Sequence, residues 1–165
     1  MCIRDRSKGI KGIELASDDK VISLSVLNSV DINPKIAKKI LKNGSSDKAK
    51  KSEIMARQKY ILSVTENGFG KQTKTEEFSI QRRGGKGVIA IQTSERNGKV
   101  IGANQVNEND ELMFISSSGN LIRTKINSIS VIGRNTQGVK LIRLSNDDKL
   151  LGMERIINDD DDEEQ

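Results

Sequence analysis

No histidine and no tryptophan occur in this sequence, which has one cysteine, one proline and one tyrosine. Each shortage removes a class of function. Without histidine there is no imidazole acid–base chemistry, no Ser–His or Cys–His nucleophilic pair and no histidine-ligated zinc. A single thiol, Cys2, cannot close an intrachain disulfide, which fits a reducing compartment. Aromatic residues are 2% of the chain, and the stacking platforms that hold single-stranded nucleic acid need several. No run of about 18 apolar residues is present, so no membrane span is expected. The opening "MCIRDRSKG" has no apolar signal-peptide core, and a cytoplasmic location is the expectation.

Charge and glycine stand in place of what is missing. Hydrophobic residues are 34% of the chain, low for a self-contained core, and charged residues are 31%. The net charge of +5 hides a division, because residues 159–164 are six consecutive acids and the body is correspondingly more basic. A basic body with an acidic tail suits a polyanion partner and an internal competitor for it; a hydrated surface with a solvating end is the alternative.

Three segments are alike: "SKGIKGIELASDDKVISL" (7–24), "GKGVIAIQTSERNGKVIGA" (85–103) and "TQGVKLIRLSNDDKLLGM" (136–153). Each runs from glycine through an aliphatic stretch and a polar turn to lysine and a second aliphatic stretch. The anchoring glycines are Gly9, Gly87 and Gly138, separated by 78 and 51 residues. Gly68 and Gly119 keep the 51-residue offset, as do Arg83 and Arg134. A period near 50 built from short strands points to an all-β propeller whose blades have about four antiparallel strands. The expected strands are 60–65, 69–78, 87–93 and 99–106, then 111–116, 120–126, 138–144 and 149–156. Asn97-Gly98 between aliphatic runs predicts a hairpin of type I′, with positive φ at both residues.

The longer first interval implies an insertion at 28–58. Its "NPKIAKKILKNG" (33–44) has an N-cap asparagine, a proline for the first turn and a terminal glycine, and predicts a short helix. Residues 28–59 hold nine lysines and arginines against three acids. A solvated excursion and an extra DNA contact both fit. The expected organisation is therefore the end of a truncated blade at 1–27, the insertion at 28–58, a blade at 59–106, a terminal blade at 107–157 and an acidic tail at 158–165. About two and a half repeats fall short of a closed propeller, so a piece of a longer protein is expected, and residues 1–6 match nothing in the other copies.

The chemistry-bearing motif is "QRRGGKG" (81–87), between the second and third strands of a repeat. Arginine offers phosphate a planar fork of donors and lysine a point charge. Glycines allow close backbone approach and expose further N–H donors. Such a loop holds a nucleic-acid backbone without reading bases. A tight connection with solvated charges is the plain alternative. "GFGKQT" (68–73) lacks the first glycine and the spacing of a phosphate-binding P-loop. The next repeat has "GRNTQGV" (133–139) at the matching place, and the first keeps Lys8 before Gly9. Basic loops at regular steps suit a bent duplex better than a small ligand.

"QRRGGKG", with "TENGFGKQTKTEEF", "GKGVIAIQTSERNGKVIGANQV" and "GNLIRTKINSISVIGRNTQGVKLIRL", resembles the C-terminal domain of the DNA gyrase A-subunit family over about 7–27 and 60–157. The resemblance implies a six-bladed β-pinwheel that wraps double-stranded DNA and so directs ATP-dependent negative supercoiling by a type II topoisomerase. It implies DNA contacts at Arg82, Arg83, Lys86 and Arg134, with Lys71 and Arg123 added, on loops formed by Gly84, Gly85, Gly87, Gly133 and Gly138. As partners it places the gyrase B subunit, with a second A subunit, in an A2B2 assembly through regions outside this chain. ATP and Mg2+ belong to that assembly, and no cofactor, metal or catalytic residue is expected here. Tyr60, in "RQKYILSVT", does not match the family's DNA-cleaving tyrosine. Two departures stand out. The family's defining box lies in the first blade, whereas this heptapeptide is one blade from the end, and the insertion has no counterpart. The corresponding domain of topoisomerase four, or a propeller that binds acidic proteins, is the alternative.

Overall fold

The computed structural model describes residues 9–26, 59–145 and 147–156. The expected helix at 33–44, the first six residues and the acidic tail lie outside them. Two antiparallel sheets carry the fold. The first has the order β3 (Val100–Val106), β1 (Tyr60–Thr65), β2 (Phe69–Lys74), β6 (Val139–Lys140). The second has the order β5 (Leu121–Lys125), β4 (Glu111–Ser116), β7 (Leu150–Ile156).

The 51-residue repeat is a repeat of geometry. Tyr60 pairs with Val106 and Glu111 with Ile156. Both ladders slip at the same place, between Val64 and Thr65 and between Ile115 and Ser116. A bulge kept in register across two copies is a built feature that increases local twist. The β1–β2 and β4–β5 turns match as well. Gly68 donates its N–H to Thr65 at 3.0 Å and Gly119 to Ser116 at 3.0 Å. Both glycines have positive φ, 78° and 83°. This is the turn-plus-left-handed-residue connection that β-hairpins favour after the two-residue turns.

Leu62, Val64 and Val106 of the first sheet meet Leu112, Phe114 and Leu150 of the second in one buried cluster, closed by Ile126, Ile129 and Ile142. In β4, Leu112 and Phe114 alternate with more exposed neighbours, as in a half-buried strand. Central β1 is instead buried on both faces from Leu62 to Thr65.

Three strand expectations need correction. The strand expected over 69–78 ends at Lys74 and gives way to the 3-10 turn Thr75–Glu77. Residues 87–93 form no strand. Only Val139 and Lys140 of 138–144 do, and they pair with β2 of the preceding repeat. The fourth strand of the first sheet is thus lent by the next repeat, and the terminal sheet has three strands. Gly138 is what lets β6 approach. Its φ is 79°, and a Cβ there would lie 2.8 Å from the Gly70 carbonyl oxygen and 3.0 Å from its carbon. The type I′ expectation at Asn97-Gly98 also fails, since only Gly98 has positive φ. Asn97 is buried instead. Its Oδ1 accepts from Ser94 N at 2.7 Å, and its Nδ2 donates to Gln92 O at 2.8 Å and Gln137 O at 3.1 Å.

Candidate nucleic-acid interface

Loop 81–87 leaves β2 after the 3-10 turn Thr75–Glu77 and runs beside the first repeat. Gly84 N donates to Gly12 O at 2.8 Å, and Gly85 O accepts from Glu14 N at 2.9 Å. Only backbone is used. Arg82, Arg83 and Lys86 are exposed, and none has a hydrogen bond or ion pair among the described residues. Gly84 and Gly87 hold positive φ of 71° and 75°, and a Cβ there would meet nothing closer than Lys11 O at 3.7 Å and Ile13 Cδ1 at 3.8 Å. The loop therefore presents three uncommitted cations on a backbone that only glycine adopts freely.

The loop at 133–138 has the same position in the next repeat and the same main-chain tie. Gln92 N donates to Thr136 O at 2.9 Å, the counterpart of the Glu14–Gly85 bond. Its side-chain environment differs. Arg134 is half-buried, with Nη1 donating to Ile89 O at 3.0 Å and its backbone N–H donating to the Glu77 carboxylate at 2.8 Å.

Lys71, expected among the surface cations, is completely buried. Its Nζ donates to Gly133 O at 2.7 Å, Arg134 O at 2.6 Å and Thr136 Oγ1 at 3.1 Å. Burial pushes this amine below its ordinary pKa; the Glu77 carboxylate opposes that shift and the Arg134 cation adds to it. The next two residues also reach across. Gln72 Nε2 donates to Ile126 O and Ile129 O, both at 2.8 Å, and Thr73 Oγ1 to Ile132 O at 3.1 Å. The polar run Lys71-Gln72-Thr73 is thus a clasp on the following repeat. The signal in the sequence was three consecutive polar residues inside a strand, where a half-exposed strand alternates.

Arg123, on edge strand β5, is exposed and ion-paired with Glu111. That neighbour cancels much of its charge toward an anion. The structure brings Arg134, Lys71, Gly133 and Gly138 together around one loop, and Arg82, Arg83, Lys86, Gly84, Gly85 and Gly87 around another. Arg123 joins neither. Among the described residues no group of three or more acidic or thiol side chains could hold a metal ion. No helix among them is long and apolar enough to cross a membrane.

The sequence and fold have counterparts in known proteins. The sequence profile of the family described as DNA gyrase C-terminal domain, beta-propeller, matches residues 4–28, 59–107 and 110–157. This chain belongs to that family. The matched stretches leave out residues 29–58. The DNA gyrase A subunit of Salmonella typhimurium is 41% identical over 156 residues, covering 94% of this chain and 15% of the relative. This chain therefore spans a small part of the curated relatives it matches. Among solved structures, a DNA gyrase A C-terminal domain superposes with a TM-score of 0.56 at 30% identity, covering 59% of this chain and 33% of that one. A C-terminal domain of DNA topoisomerase IV reaches 0.55 at 23% identity, covering 61% of this chain and 30% of that one, a likeness of fold alone. The domain is thus all-β and propeller-type, homologous to the C-terminal domain of the DNA gyrase A subunit.

Proposed function

We propose that this chain binds duplex DNA through basic loops on successive repeats and belongs to the part of a type II topoisomerase that wraps the duplex. The observation that carries this reading is loop 81–87. Three cations stand exposed there with no protein partner among the described residues, at a repeat position that supplies Arg134 one blade later. Phosphate is the anion they fit. Guanidinium and ammonium donors on a glycine backbone make charge-assisted hydrogen bonds with no need of base contacts. Contacts repeated along a curved series of blades offset the roughly 1–6 kcal/mol that bending a 20–30 bp site costs.

In this reading the whole enzyme couples ATP hydrolysis to negative supercoiling in the bacterial cytoplasm. Its A and B subunits form an A2B2 assembly, with the DNA-cleaving tyrosine, ATP and Mg2+ outside this chain. The resemblance and the gyrase relatives support that wider frame.

The test compares binding to duplexes of about 30 and about 150 bp over a salt series. A disproportionate gain for the long duplex with a steep salt slope is expected. Equal, weak and salt-insensitive binding to both would remove the proposal and favour an acidic protein as partner.

A further inference from the structure

We propose that Lys71 is a positioning residue for the DNA-facing loop of the following repeat, holding the 133–136 backbone so that Arg134 is presented to phosphate. This rests on the DNA-binding reading above. The ammonium is fully buried, yet its three partners are all neutral oxygens, two of them main-chain carbonyls of the loop. A buried cation is costly unless it is hydrogen-bonded, and a strand can be held to a neighbour with neutral groups at less cost, as Gln72 and Thr73 do one and two residues on. What the charge adds is grip on the two carbonyls that set the direction of the loop at Arg134.

A second side chain holds the same peptide group as the Gly133 carbonyl. Glu77, from the 3-10 turn after β2, accepts the Arg134 N–H. Lys71 and Glu77 thus grip the peptide groups on either side of the Arg134 α-carbon, both from the preceding blade. Thr136 Oγ1 also lies 3.1 Å from Gly133 O, which ties the loop to itself under the ammonium. Arg134 spends one guanidinium N–H on Ile89 O, and the remaining donors are available to an anion.

The test measures binding of the full chain to a duplex of about 150 bp against salt, for wild type, Lys71→Met, Arg134→Ala and the two combined, with Arg82→Ala/Arg83→Ala/Lys86→Ala as a separate variant. Lys71→Met keeps the volume and removes the charge. It is expected to lower the slope of log K against log salt by about one, as Arg134→Ala does, and the combination is expected to add nothing further. A slope equal to wild type in a Lys71→Met protein that only melts earlier would overturn the proposal, because a purely structural clasp moves stability and leaves the count of phosphate contacts alone. If the triple variant then still lowers the slope, the DNA-binding reading stands without it. A wild-type chain with no salt-dependent duplex binding removes both. Should Lys71→Met not fold, Thr136→Val decides. A several-fold affinity loss that disappears in an Arg134→Ala background supports the positioning role, and wild-type affinity overturns it.

Discussion

The two basic loops occupy the same place in the repeat and are held in opposite ways. Among the described residues, loop 81–87 is tied to the preceding repeat by main chain alone, and its three cations have no partner. Loop 133–138 is gripped by Lys71, Glu77 and Gln92 and leaves Arg134 partly committed. The difference follows from what lies on the preceding side. Residues 133–138 are reached by Lys71 of β2 and by Glu77 of the 3-10 turn that follows it. Residues 81–87 meet segment 9–26 through the main chain of Gly12 and Glu14, and among the described residues no side chain of that segment bonds to the loop. An identical motif position is therefore an uncommitted patch of charge in one setting and a fixed donor in the other.

The largest expected effect breaks this comparison at the charges. Replacing Arg82, Arg83 and Lys86 together with alanine should weaken duplex binding roughly 100-fold near 0.1 M salt and lower the salt slope by roughly 2 to 3. Because all three are exposed, unfolding free energy should move by no more than about 0.5 kcal/mol. Chemical denaturation of the same variant checks that half.

A second test sets Gly138 against Gly87, the same repeat position with positive φ in both. An alanine at 138 meets the Gly70 backbone at 2.8 Å, whereas at 87 the nearest atom is Ile13 Cδ1 at 3.8 Å. Gly138→Ala is expected to cost about 3 kcal/mol from clash plus left-handed strain, and Gly87→Ala about 1 kcal/mol from strain alone. Equal costs would mean that the β2–β6 contact gives way freely.

Turn residues extend the comparison to Asn97 and Asp148, which are 51 residues apart. Asn97 is buried and bonded to the Gln92 and Gln137 carbonyls, so Asn97→Ala should lose about 1–3 kcal/mol in urea unfolding. Asp148 is an acceptor for the hydroxyls of Ser117 and Ser118, both at 2.7 Å.

The smallest effect is the pH dependence of that last group. Hydrogen bonds from Ser117 and then Ser118 hold the Asp148 carboxyl well below its ordinary value of 3.8. A depressed folded-state pKa contributes stability that is fully present above the unfolded value and is lost as pH falls below it. Asp148→Asn should therefore lower stability slightly at pH 7 and flatten part of the loss below about pH 4, so that variant and wild type converge in acid. An unchanged acid limb would show that the Ser–Asp contacts are exchanged for water at no cost.

Much of the architecture was legible before any coordinates. Period, turn glycines and strand runs pointed to two blades and their hairpins, because a 51-residue offset repeats local patterns that fix local turns. The exposed cations of 81–87 were legible for the same reason, since a loop of glycine and arginine has little to bury. Lys71 was not. A lysine in a strand reads as a surface cation, and its burial depends on carbonyls more than sixty residues away. Asn97 departs from expectation similarly, because the carbonyl of Gln137 that draws its side chain inward belongs to the next repeat.

By itself, then, the sequence determined the all-β class, the repeat, the family, and the exclusion of histidine chemistry and of an intrachain disulfide. These depend on composition and on patterns read within one repeat. Tertiary structure alone decided that β6 completes the preceding blade, that Lys71-Gln72-Thr73 is a clasp and that the two basic loops differ in freedom. Each of these turns on which buried polar group finds a partner across the repeat boundary, and a main-chain carbonyl is the same in every residue type.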